Sequence, residues 1–188
     1  MIKHAIAVLL VGFVALSGCS TTTASNNPQN RTTMVTTGDL AQLNRTSNTF
    51  AWHPTLAVVE THDKIDDHVV IGHMRQAIAK VLSAKGYRLA TQQETPSMLV
   101  GFGLALESKM SDNEILNKVG IVAGLSSVSM NDEYEKGSVL VAFFAPEQRL
   151  PAWRVLAQGY AENDKAVAER ELPFEHFIAS MLKGVPAI

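Results

Sequence analysis

The sequence predicts an α+β fold, a mostly antiparallel sheet of about five strands with two helices packed on one face. Apolar residues recur at helical spacing in one stretch near each end of the domain. Between those stretches they recur at the period-2 spacing of strands, and a turn-rich break at Pro146–Pro151 joins two of the runs as a hairpin. Strands in the middle with a helix towards each end argue for helices gathered on one face of a sheet.

Taken in order, Met34–Thr37 reads as a short edge strand, and Thr49–Glu60 as a longer one interrupted at Trp52-His53-Pro54. Proline donates no ladder hydrogen bond, so Pro54 places this strand at a sheet edge or a bulge. From Ile65 to Lys85 the residues Ile65, Val69, Met74, Ile78, Val81 and Leu82 form a helical stripe. Asp63, Asp66 and Asp67 suit the positive end of that helix, and Gly86 suits its C-cap. A short strand at Tyr87–Thr91 follows. Met98, Val100, Phe102, Leu104 and Leu106 alternate with Leu99, Gly101, Gly103 and Ala105, which predicts a strand buried on both sides. Ser138–Ala145 and Trp153–Ala161 form the hairpin. The last helix carries Phe174, Phe177, Ile178, Met181 and Leu182, with Pro173 near its start and Gly184 near its end. Asn117–Met130, apolar and glycine-containing between the polar clusters Ser111–Glu114 and Asn131–Lys136, fits a strand, a buried loop or a flap.

The chain has 188 residues, 46% hydrophobic and 18% charged, a globular composition. Its length fits one domain with appendages. Lys3 is the one charged residue in positions 1–18; without them the balance is 15 basic to 18 acidic. A mildly acidic domain lacks the basic footprint of a nucleic-acid binder and the polybasic patch of a charge-held membrane protein.

Residues 1–18 have the three parts of an export signal: Lys3, the apolar run Ala5–Leu16, and the small residues Ser17 and Gly18. The run's 12 residues fall short of the roughly 20 that span a bilayer. Leu16-Ser17-Gly18-Cys19 resembles the lipobox of bacterial lipoproteins, which implies cleavage between Gly18 and Cys19, a diacylglycerol on the Cys19 thiol and usually an acyl chain on the new amino group. Cys19 is the only cysteine, so lipidation also accounts for an odd thiol in an exported chain. Multiple acyl chains hold a protein stably at a membrane where one holds it marginally. Ser20, rather than Asp, follows the cysteine; in a Gram-negative host the resemblance implies the outer membrane, facing the periplasm. Ser20–Thr33 is polar and reads as a disordered tether, spanning about 20 Å as a random coil. The expected organisation is a signal over 1–18, lipidated cysteine and tether over 19–33, and one domain over 34–188.

Within that domain, Asn48-Thr49-Phe50-Ala51-Trp52 with Pro54, Lys85-Gly86-Tyr87, and Lys136 through Val141 stand in a distinctive order. Ala152-Trp153-Arg154 and Leu182-Lys183-Gly184-Val185-Pro186 complete it. The series resembles a family of bacterial lipoproteins defined as domain of unknown function 4136. Members often carry a Gly/Tyr-rich middle segment, here reduced to Val119–Gly124. The resemblance implies a fold and an address, with no activity or functional residues to carry over.

Candidate sites are few. His62, Asp63, Asp66, Asp67, His68 and His73 cluster, yet His68 and His73 diverge by roughly 140° around a helix, and acids at a helix start answer its dipole. No metal site is expected. Ser180-Met181-Leu182-Lys183 has the Ser-x-x-Lys spacing of some acyl-enzyme hydrolases, but at a helix end and without companion motifs. No P-loop, dinucleotide fingerprint or Gly-x-Ser-x-Gly occurs, so no catalytic residue and no cofactor is assigned. Trp52, Trp153 and Tyr160 are a possible binding face, with core packing the alternative. Gly101 and Gly103 either admit a ligand or allow close helix packing. The expected function is a non-enzymatic, membrane-anchored binding domain whose partner is another envelope protein. The alternatives are a carrier or sensor of a small apolar ligand held between helices and sheet, and, less favoured, an envelope hydrolase.

Overall fold

The computed structural model describes residues 31–43, 47–62, 65–127, 133–162 and 167–188. Its centre is a sheet of six strands: β1 (Thr33–Gly38), β2 (Thr49–Glu60), β3 (Arg88–Leu89), β4 (Met98–Leu106), β5 (Tyr134–Phe144) and β6 (Trp153–Glu162). The helices are α1 (Asp67–Ala84), α2 (Asp112–Val119) and α3 (Val167–Met181), and a 3-10 turn spans Leu40–Gln42. The α+β class holds, while three of the expected details are corrected.

The sheet has six strands rather than five, in the order β1-β6-β5-β4-β2-β3, and it is mixed. The β1–β6, β6–β5 and β5–β4 pairs are antiparallel, whereas β2 runs parallel to both β4 and β3. The physical reason is α1, which carries the chain back along the sheet so that the strands after it enter in the same direction as β2. There is also a third helix, α2, on the sheet face away from α1 and α3.

Period-2 alternation gives each strand two working faces. Phe50, Val100, Phe102, Val141, Phe143, Trp153 and Val155 point to one face and pack with Met74, Ile78 and Leu82 of α1, Ile178 and Met181 of α3, and Leu182 just past its end. Leu140 and Leu156 point to the other face and form a smaller core with Ile115 of α2 and Ile121. β4 buries Met98, Val100 and Phe102 on the first face; on the other, Gly101 and Ala105 are buried and Leu99 and Gly103 half-buried, so the expected two-sided burial is only partial.

Pro54 does what proline does to a ladder. The β2–β4 register shifts between Trp52 and Ala57, and β3 flanks β2 only at Thr49 and Phe50. The excess residues fold around His53, whose Nδ1 accepts the N–H of Leu56 at 3.1 Å. The bulge carries Leu56 over β4, where a Cβ on Gly101 would meet its side chain at 2.6 Å. Gly101 thus makes room for a neighbouring strand's leucine, not for a helix. At Gly103 a Cβ would make only ordinary contacts.

Asp66 caps α1 by accepting the N–H of His68 at 2.9 Å, and Gly86 leaves the helix with φ +93°. A Cβ there would lie 2.9 Å from the carbonyl oxygen of Ile188, whose N–H is bonded to Lys85. α3 begins at Val167, six residues before Pro173, so the proline lies within the helix rather than near its start.

Candidate functional site

The antiparallel neighbours β4 and β5 pair at Leu106 and Gly137, so a short hairpin loop would join them. Instead the chain makes an excursion between these residues. α2 opens it with a capping box: the N–H of Ser111 donates to Glu114 at 2.8 Å, and Ser111 Oγ accepts the N–H of Glu114 at 3.4 Å. The Ser111 N–H, together with the Ser111 hydroxyl donating to the same oxygen, Oε2, at 2.8 Å, holds the Glu114 carboxyl below its ordinary value. Gly120, left-handed at φ +68°, ends the helix. Residues 121–127 then cross the outer face of β5 and β6 as a strap without helix or strand structure.

Sheet side chains hold this strap by its backbone. The Leu125 N–H donates to Gln158 Oε1 at 2.9 Å, and Lys136 Nζ donates to the Leu125 carbonyl at 3.3 Å. Tyr160 donates its hydroxyl to the Ser126 carbonyl. Ser127 Oγ donates to Glu107 Oε2 at 2.6 Å. Ile121 and Leu125 are buried beneath, and Gly124 and Ser126 are exposed above.

Under the strap lies a polar cluster that the sequence reading missed. Lys136, 4% exposed, bonds Glu107 at 2.8 Å and Asp112 at 3.0 Å. Gln158, fully buried, donates to Asp112 Oδ1 at 2.6 Å and to Ser138 Oγ at 3.1 Å. Burial works to lower the Lys136 pKa, but the bonds to Glu107 and Asp112 outweigh it and the net direction is upward. A lysine held as a cation with its donors occupied clamps two carboxylates and a carbonyl, which is the chemistry of a clasp. Beside it, Glu135 accepts the Ser108 N–H at 3.0 Å and bonds His62 Nε2 at 2.6 Å. Burial pushes the Glu135 carboxyl up, and the bonds from Ser108 and His62 bring it below its ordinary value.

The sequence-predicted residues are not brought together. Trp52 and Trp153 lie on the face covered by α1 and α3. Trp52 packs edge-on against Phe50 and Phe102, with the Arg75 guanidinium 5.6 Å from its ring centre. Trp153 is 5% exposed and packs on Phe143. Tyr160 is on the opposite face, over the strap, with Arg31 5.9 Å from its ring centre. The three aromatics therefore share no single face, and the core-packing alternative describes the tryptophans. Asp66 and Asp67 serve the start of α1, Asp67 accepting from Thr61 Oγ1 at 2.7 Å. Asp63 lies outside the described residues, and among those described no three His, Cys, Asp or Glu side chains converge as metal ligands. Ser180 donates its hydroxyl back to the His176 carbonyl at 3.0 Å, within its own helix. Gly18 and Cys19 lie outside the described residues. A cavity between Leu40, Leu43, Tyr87, Met98, Phe143 and Val185 has a volume of about 10 Å³, room for a water molecule.

The family model described as domain of unknown function (DUF4136) matches residues 34–187, most of the chain. The chain belongs to the DUF4136 family. Among solved structures, the PelC dodecamer from Paraburkholderia phytofirmans is similar at 13% identity, with a TM-score of 0.48 over 84% of this chain and 99% of that one. A leucine-to-methionine variant of the same dodecamer gives 14% identity and a TM-score of 0.43, over 81% and 95%. No curated protein matches the DUF4136 chain. Strap and clasp fall inside the family match, so they are features of the DUF4136 domain as this chain builds it.

Proposed function

We propose that this DUF4136 chain is an envelope lipoprotein, anchored through Cys19, whose α+β domain binds another envelope protein without catalysing a reaction. The observation that carries the reading is the polarity of the domain. The segment leading from Leu16-Ser17-Gly18-Cys19 enters β1 at Thr33, opposite Gln158 near the end of β6. The far end of the sheet holds β3, the β5–β6 turn and the C-terminus, and there Leu89, Leu150 and Ile188 are 47%, 79% and 64% exposed. A membrane-held domain then presents exposed apolar side chains away from its anchor, where a partner reaches them. The 10 Å³ cavity offers a small apolar ligand no comparable support.

The test is mass spectrometry of the protein drawn from its own envelope after brief in-cell cross-linking, beside Cys19→Ser and Leu150→Asp. A lipid-sized increment on the Cys19 peptide is expected, with one recurrent cross-linked protein whose yield falls several-fold in Leu150→Asp. An unmodified Cys19 peptide overturns the anchor. A lipidated protein with no recurrent partner overturns the binding role.

A further inference from the structure

We infer that the strap, residues 121–127 with Gly120, is a second membrane contact, lying against the bilayer to which the chain is anchored; this rests on the proposed lipidation of Cys19. The first argument is position. Arg31, where the described chain begins, is over the ring of Tyr160, and Tyr160 donates to the Ser126 carbonyl. Thr33 pairs with Gln158, which takes the Leu125 N–H. The strap is thus one side chain away from the point where the lipid-bearing segment enters the domain. Between Cys19 and Arg31 lie 11 residues, so even a fully extended path keeps that point within about 40 Å of the lipid.

The second argument is composition. Val119–Ser127 contains no charged residue, although charges occur nearby at Lys118, Glu133 and Glu162. Leu116, on the preceding helix, is 45% exposed. Tyr160 adds an amphipathic ring of the type that favours bilayer interfaces.

The third argument is hydrogen bonding. A loop normally resists a water-poor interface because its backbone groups lose their water partners. In this strap the Leu125 N–H, the Leu125 carbonyl and the Ser126 carbonyl are already bonded inward to Gln158, Lys136 and Tyr160. Its outer surface meets the interface with fewer backbone groups left to desolvate. The contact has only to be weak. A tether of this length gives an effective concentration on the order of millimolar, enough to populate a contact of millimolar Kd.

The lipidated full chain, reconstituted in phosphatidylcholine vesicles, tests this with a thiol-reactive fluorophore and a spin-labelled lipid quencher. Ser126→Cys and Ala123→Cys place the label on the strap, and Gln148→Cys places it on the far turn. Quenching on both strap sites several-fold above that at position 148 is the expected result. Equal quenching at the two ends, or stronger quenching at 148, with lipid present on the Cys19 peptide, overturns the contact and leaves the anchor standing. A Cys19 peptide without lipid overturns both.

Discussion

Gly101 shows how one missing side chain governs a contact made 45 positions away. Leu56 occupies the space where a Cβ on residue 101 would be, with its own Cβ 2.9 Å from that point. Leu56 cannot yield simply by swinging its tip. Gly101→Ala is therefore expected to destabilise the domain by about 1–3 kcal/mol in urea unfolding, the usual range for an overpacked site. Leu56→Gly, which removes that Cβ as well, should leave the double variant less destabilised than the sum of the two single losses, and purely additive losses would count against the clash. The need for small residues on one side of β4 is legible from alternation alone. The identity of the neighbour is not, because Leu56 arrives through a register shift that no local pattern announces. The aromatic trio is more legible than a shared binding face allows. Trp153 and Tyr160 are seven apart on one strand, an odd separation that sends them to opposite faces.

At the scale of elements, most strands and α1 follow from periodicity, and β4 runs over the nine residues its alternation marks. α2 is absent from the expected elements, although Ser111, Glu114 and Gly120 are a capping box and a left-handed stop in plain sequence. The strap is illegible for a different reason. It has no period of its own, and its partners Lys136 and Gln158 stand 11 and 33 positions from Leu125. The parallel β2–β4 pairing is implied by strand, helix, strand in succession, which calls for a crossover rather than a hairpin. Ser111→Ala removes the N-cap of α2. Amide exchange across Asp112–Val119 should then accelerate roughly fivefold, the equivalent of about 1 kcal/mol, with α1 unchanged. Acceleration throughout the domain would instead make α2 part of its global cooperative unit.

For the whole molecule, Glu135 contributes to the acid limit of a pH plateau, along with Glu94 and Glu114, and Lys136 to the alkaline one. The Glu135 carboxyl titrates below its ordinary 4.5, so it stabilises the fold above that value and the contribution disappears as pH falls through the folded pKa. Lys136 titrates above its ordinary 10.5, so its contribution is complete below that value and is lost as pH rises further. Thermal melts should therefore decline below about pH 5 and again above about pH 10. Glu135→Gln should make the acid limb shallower while leaving the alkaline one, and an unchanged acid limb would remove Glu135 from this role. The excursion between Leu106 and Gly137 also bears on the order in which the sheet assembles. Closing its 30 residues costs about 1 kcal/mol more chain entropy than closing the nine, 144–152, between Phe143 and Trp153. The β5–β6 hairpin therefore faces the smaller barrier. It should nucleate early, with β4 joining afterwards and residues 121–127 settling last. The larger core beneath α1 and α3 would then be buried before the strap over the opposite face takes its final shape.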